Sequence, residues 1–171
     1  MTTPDVWRDR VPQGAPARFV PHTHAFEFVH AAPRERVWAW LNDPGTFTRQ
    51  VWPYRVEFVA GGFDEGALNV HHGPFLNVAG MMTEVDAGDD GKGRRRELRY
   101  FYGSNVISLR FIRPTALVFE VEDADANGSP ATRIRGQLDS LVSPMMKGPW
   151  SLIQKTFWPS FRFWIRREVK A

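Results

Sequence analysis

Two tyrosines on one predicted strand are the residues of this sequence best suited to chemistry in an apolar setting. Tyr100 and Tyr102 are spaced to point to the same face of a strand. A buried phenol needs a hydrogen-bond partner, so this pair could bind a carbonyl or hydroxyl group of a small molecule or act as an acid or base. His72, beside Gly73 and Pro74, is a third candidate for acid/base chemistry, although a histidine at that place also fits an ordinary surface residue. These three are the only, and weak, candidates for a catalytic role.

Other kinds of catalytic or metal site are not indicated. The sequence has 5 His and no Cys. His22 and His24 could share a strand face, whereas the adjacent His71 and His72 point to opposite sides of a strand. A metal site needs three or four converging ligands, and no HExxH motif is present. The sequence also has no G-x-S-x-G motif and no phosphate-binding glycine loop, and the strand glutamates alternate to the outer face. We therefore predict no metal and no cofactor, and the case for an enzyme is weak.

The elements that position these residues begin with a strand and two short helices. Residues 1–20 show no hydrophobic period and are predicted to form an N-terminal arm, followed by one domain over 21–171. Phe26 and Phe28 alternate with polar residues and indicate a strand over 23–29. Pro33 suits the first position of a helix, which Pro44 ends. Asp43 can cap a second short helix behind it.

Strand patterns then continue almost without interruption to about residue 142. Gly-rich or Pro-containing turns separate them, and Asn127-Gly128 is a strong hairpin signal, so about seven strands should form an antiparallel sheet. The predicted strands after the helices are 54–60, 67–72, 76–86, 95–103, 106–112, 116–122 and 132–141, with Arg113-Pro114 as a turn.

The last segment has the pattern of one long amphipathic helix. From Pro149 onward, large apolar residues recur at spacings of three and four over about five turns. Pro159 lies inside this pattern and predicts a kink near residues 155–158, because proline removes a backbone donor and clashes with the preceding turn.

Composition and charge limit the classes of function. With 43% hydrophobic and 24% charged residues the chain is an ordinary globular protein, and no window approaches the roughly 20 apolar residues that a membrane span requires. The 22 Lys and Arg are nearly balanced by 19 Asp and Glu, so no nucleic-acid-binding surface is implied. The N-terminus lacks the apolar region of a signal peptide, and we expect a cytoplasmic protein.

The order of elements and the local sequence resemble the helix-grip fold of the START-like (Bet v 1-like, SRPBCC) superfamily. AFEFVHAAPRERVWAWLNDPGTF is similar to the opening of that superfamily, and RELRYFYG, TALVFEVED and ATRIRGQLD resemble its central hairpins. The resemblance covers about residues 22–170. It implies an α+β fold in which a seven-stranded curved antiparallel sheet wraps around a long C-terminal helix, with two short helices after the first strand and a cavity between sheet and helix.

What the resemblance implies for function is the binding of a hydrophobic or amphipathic small molecule, of lipid, polyketide or aromatic type, in that cavity. Two alternatives stay open: a polyketide cyclase or dehydratase that uses the same pocket, and a co-chaperone-like interaction module with a filled cavity. We expect no stable membrane insertion, although the Trp-rich, basic last helix also has the composition of a helix that lies at a membrane surface. Tryptophans that the core does not need could form a homodimer contact. The residues predicted to line the ligand site are Phe58, Met81, Thr83, Leu98, Tyr100, Tyr102, Phe119, Ile134, Leu138, Ile153, Phe157 and Phe161.

Overall fold

Seven strands form one antiparallel sheet in the computed structural model, which describes residues 17–50, 54–73, 76–86, 93–101 and 111–170. The strands are β1 (Val20–His30), β2 (Arg55–Ala60), β3 (Leu68–Gly73), β4 (Leu76–Asp86), β5 (Arg94–Phe101), β6 (Ile112–Ala126) and β7 (Ser129–Val142). Their order across the sheet is β1-β7-β6-β5-β4-β3-β2, so β1 and β2 are the edges. The curved antiparallel sheet predicted from the sequence is confirmed.

Two short helices follow β1, as predicted. The first is α1 (Arg34–Asn42), and the second is α2 (Thr46–Gln50), a short helix of π geometry. Asp43 caps the chain between them, because its Oδ1 accepts a hydrogen bond of 2.8 Å from the backbone N–H of Gly45. Val37 and Leu41 of α1 and Phe47 of α2 are all buried, so both helices turn an apolar side toward the core.

The C-terminal segment is a bent helix, and the break lies next to Pro159, where the sequence predicted a kink. A 3₁₀ turn (Pro144–Met146) leads into α3 (Lys147–Phe157), and α4 (Ser160–Glu168) begins directly after Pro159. Trp158 and Phe161, on either side of the break, are both buried. None of the helices in the described part of the chain is long and apolar enough to span a bilayer.

The core lies between one face of the sheet and the helices. Aromatic rings from both sides meet there: the ring of Phe26 on β1 stacks on that of Trp158 at 4.6 Å, and Phe161 packs against Phe119 of β6 at 5.6 Å. Such ring pairs stabilise a core by about 0.5–1.5 kcal/mol beyond the area that they bury. The aromatic contacts therefore hold the bent helix against β1 and β6.

One detail of the strands differs from the sequence prediction, and one prediction lies mostly outside the described residues. Arg113 and Pro114 are not a turn but part of β6, which runs through them with an irregular register between Pro114 and Ala116. Such an irregularity accommodates a proline that cannot donate to the ladder. The predicted strand 106–112 falls on residues outside the described part except for its last two, and so does most of the predicted N-terminal arm.

Candidate functional site

A cluster of polar side chains lies inside the fold, on the inner face of β3 and β5. His71 of β3 and Tyr100 of β5 are 7% and 4% exposed, and Tyr54, just before β2, is partly buried beside them. The Tyr100 hydroxyl is 2.9 Å from Nδ1 of His71, and the Tyr54 hydroxyl also contacts that nitrogen. Three polar groups from three separate segments therefore converge within an apolar interior.

The hydrogen bonds of this cluster leave one donor unused. The two hydroxyls also hydrogen bond each other, and a neutral imidazole nitrogen has a single lone pair to accept with. We assign a chain in which Tyr54 donates to Tyr100 and Tyr100 donates to Nδ1 of His71. Nε2 of His71 then carries the proton, and it is buried with no hydrogen-bond partner among the described residues.

Burial fixes the protonation states of these groups. Loss of solvation lowers the pKa of His71 to about 3, and the positive charge of Arg96 acts in the same direction. Burial also raises the pKa of both Tyr54 and Tyr100. At neutral pH the cluster is therefore an uncharged set of hydrogen-bonding groups and not an acid–base pair.

Arg96 adds a buried positive charge next to this cluster. Its side chain is 4% exposed and lies on the same face of β5 as Leu98 and Tyr100. The guanidinium lies over the ring of Phe63 at 3.9 Å from the centroid, with Phe47 and Phe119 slightly farther away. Burial lowers the pKa of Arg96 to about 9, so it still carries its charge at neutral pH.

The rest of the interior is largely aromatic. Phe157 of α3 contacts the Tyr54 ring at 5.7 Å, and Phe47 of α2 contacts it at 6.4 Å. Phe47 also lies beside Arg96, so the arginine and the tyrosine share one aromatic wall. Farther along, a group of four rings packs together under the bend of the helix: Phe26, Phe119, Trp158 and Phe161.

The structure places most of the residues predicted to line a ligand site in this interior. Phe58 and Phe157 are partly buried and pack against the core. Tyr102 falls outside the described residues. The predicted residues that are buried are Thr83, Leu98, Tyr100, Phe119, Ile134, Leu138 and Phe161.

Three placements differ from the prediction. Met81 pairs with the outward-facing Arg99, whereas Met82 pairs with Leu98 and is the buried residue. The register of β4 shifts between Met82 and Glu84, so Thr83 in that bulge is buried next to Met82, and its hydroxyl donates to Glu97 at 3.1 Å. A bulge of this kind cannot be read from alternation alone.

The other two corrections concern Ile153 and His72. Ile153 is 38% exposed, and Gln154 is buried in its place because its amide oxygen accepts a 2.7 Å hydrogen bond from the indole of Trp158. His72 lies on the outer side of β3, where its Nε2 is 3.3 Å from Glu57 and its Nδ1 is 3.1 Å from Asn77. His71 is the histidine that faces the interior.

The residues missed by the sequence analysis are His71, Tyr54 and Arg96. Arg96 carries a usable signal, since it is two and four residues before Leu98 and Tyr100 and so must share their face. The charge of Arg96 suggests a position on the outer face, but the two-residue alternation of a strand places it on the inner face. Nothing in the sequence separates His71 from His72, because alternation does not say which of two adjacent histidines is buried.

Comparison of the structure with solved structures finds norcoclaurine synthase from Thalictrum flavum. A truncated form has a TM-score of 0.62 at 15% identity, covering 91% of this chain and 98% of that one. A point mutant in complex with a transition-state analogue has a TM-score of 0.60 at 16% identity, covering 88% and 94%. A complex with dopamine and hydroxybenzaldehyde has a TM-score of 0.58 at 15% identity, covering 90% and 91%.

Sequence comparisons add no closer relative. No protein-family model matches the chain, and no curated protein matches it significantly. The structural likeness extends over nearly the whole length of both chains, and at this identity it concerns the fold. This chain has seven antiparallel strands, two short helices after the first strand and a bent C-terminal helix on the inner face of the sheet. The chain has the α+β helix-grip fold predicted from the sequence, and it shares this fold with norcoclaurine synthase.

Proposed function

We propose that the protein binds an amphipathic small molecule between the sheet and the bent helix, with the molecule's polar end at His71 and Tyr100. The observation that carries this proposal is Nε2 of His71, which is buried within an aromatic interior and has no hydrogen-bond partner in the described part of the chain; in the tautomer assigned above this nitrogen is a donor. A buried donor without a partner costs about 1–3 kcal/mol. A ligand with a carbonyl or similar acceptor would supply the missing hydrogen bond, while its apolar part packs against Phe157 and neighbouring rings.

Binding agrees with this site better than acid–base catalysis does. His71 with a pKa of about 3 is too weak a base near neutral pH, and the raised pKa values of the tyrosines keep them protonated. The buried polar residues of the described part include neither Asp nor Glu.

Displacement of a neutral fluorescent probe tests the proposal. N-phenyl-1-naphthylamine should bind the wild-type protein with enhanced fluorescence, and 2-acetylnaphthalene should displace it. His71→Phe should lower the affinity for 2-acetylnaphthalene by about three- to tenfold, which corresponds to one hydrogen bond. The affinity for 2-ethylnaphthalene should stay unchanged, because only the ketone has an acceptor. His72→Phe, on the outer side of the same strand, is the matched control and should alter neither affinity.

Two results would contradict this function. If the probe does not bind the wild-type protein, the interior is closed to ligands. If His71→Phe weakens the ketone and the hydrocarbon equally, the histidine shapes the core and does not recognise an acceptor.

A further inference from the structure

Arg96 differs from Arg95 and Arg135, two arginines on the outer face of the sheet, in having no carboxylate partner among the described residues. On the outer face, Arg95 pairs with Glu84, Glu97 and Glu120, and Arg135 pairs with Glu27 and Glu122. Arg96 is the buried one, and within the described part of the chain it forms no salt bridge. A buried charge without a counter-ion is energetically costly. The hydrogen-bonding groups of Arg96 that have no partner therefore indicate what kind of ligand could bind there.

The hydrogen bonds of Arg96 use only one of its nitrogens. Nη1 donates to the backbone oxygen of Leu41 and to Oδ1 of Asn42, the latter at 2.9 Å. These two acceptors at the C-terminal end of α1 occupy both hydrogens of Nη1. Nε and Nη2 have no hydrogen-bond partner in the described part of the chain, and together they form the side-on fork of the guanidinium.

The free fork matches a carboxylate. Two parallel N–H groups bind the two oxygens of a carboxylate in a bidentate geometry, which a hydroxyl or a ketone cannot reproduce. The centroid of the Phe63 ring is 3.9 Å from the guanidinium carbon, so the ring covers the flat face of the guanidinium. A ligand would therefore have to approach the guanidinium along its edge.

Arg96 also belongs to the same site as the polar cluster. Its charge acts on His71, Tyr54 and Tyr100, and Phe47 touches both the guanidinium and the Tyr54 ring. We propose that the ligand is a carboxylic acid with an apolar body, whose carboxylate pairs with the Nε–Nη2 edge of Arg96. This inference rests on the proposed function and names the class of ligand that the site selects.

A matched pair of ligands tests the inference in the same displacement assay. 2-Naphthoate and methyl 2-naphthoate have the same aromatic body, and only the first is charged at neutral pH. We expect the wild-type protein to bind the acid at least tenfold more tightly than the ester. High salt should preserve this preference, because it screens surface charges much more than a buried pair.

Variants of two arginines on one strand separate the buried site from the general positive charge. Arg96→Gln should abolish the preference for the acid and retain binding of the neutral probe, which also reports that the variant is folded. Arg96→Lys should retain part of the preference, because it restores a charge without the fork. Arg99→Gln, on the outer face of β5, removes the same charge and should keep the full preference.

The outcomes distinguish this inference from the proposed function. If the neutral probe binds but acid and ester compete equally with it, the carboxylate assignment is wrong and the proposed function stands. Equal loss of the preference in Arg96→Gln and Arg99→Gln would attribute it to net charge and would also overturn the assignment. If the probe itself fails to bind, both proposals fall together.

Discussion

At the scale of single residues, burial holds His71 in its neutral form across the physiological pH range. Desolvation lowers its pKa in the folded protein from 6.5 to about 3. In the unfolded chain the imidazole takes up a proton below about pH 6.5, whereas in the folded protein it does so only near pH 3. The unfolded state is therefore favoured by protonation throughout this window, and the contribution of His71 to stability decreases as the pH falls.

This linkage predicts a measurable pH dependence. Between about pH 6 and pH 4 the His71 proton should lower the free energy of unfolding by about 1.4 kcal/mol per pH unit, and His71→Gln should remove that contribution. Urea unfolding of both proteins at several pH values measures the difference in slope, which cancels the contribution of the carboxylates. His72→Gln serves as the control and should keep the wild-type slope. Parallel curves for wild type and His71→Gln would show that the imidazole is not held neutral by burial.

At the scale of elements, one glycine lets β1 and β7 approach the bent helix closely. Phe26 pairs with Gly136 across the two strands, and its ring lies directly over the glycine. A Cβ at position 136 would be 2.1 Å from that ring. The ring cannot move away easily, because Trp158 stacks on it at 4.6 Å.

Substitution of two glycines by alanine should have effects of different size. Gly136→Ala should lower the free energy of unfolding by about 1–3 kcal/mol through overpacking. Gly148→Ala, in α3, would meet no atom within 4 Å apart from its chain neighbours, but Pro149 disfavours helical geometry for a preceding residue with a Cβ, so the gain in helix propensity should be offset and the change should stay within about 1 kcal/mol. Urea denaturation measures both. A neutral Gly136→Ala would mean that the Phe26 ring repacks without loss.

The same elements show which features a sequence reveals. Alternation predicted the inner faces of β2, β5 and β7, and proline chemistry predicted the break of the last helix at Pro159. Alternation failed on β4, where the bulge at Thr83 changes which of the neighbouring residues face the interior. It also failed at Gln154, a polar residue buried only because Trp158 satisfies its amide. Local pattern gives the faces of regular elements, whereas bulges and buried polar pairs depend on tertiary partners.

At the scale of the whole molecule, polar bonds attach the end of the bent helix to edge strand β1. His30, the last residue of β1, hydrogen bonds through Nε2 with the backbone oxygen of Val169 at 2.8 Å, and both residues are buried. Arg162 of α4 donates to the backbone oxygen of Glu27 at 3.0 Å. The aromatic core holds the middle of the helix, so these bonds fix its far end against β1.

Loss of the buried bond should release this end. His30→Phe keeps an apolar ring but leaves the Val169 carbonyl without its donor, and we expect it to lower the free energy of unfolding by about 1–3 kcal/mol. Hydrogen exchange should accelerate in α4 before it does in β6 and β7, since the core rings still hold those strands. Arg36→Gln provides the comparison, because Arg36 also donates to a C-terminal carbonyl, that of Lys170, but at the exposed surface, where the loss should stay within about 0.5 kcal/mol. Equal effects of the two substitutions on stability and on exchange in α4 would show that the buried bond is not what anchors the helix.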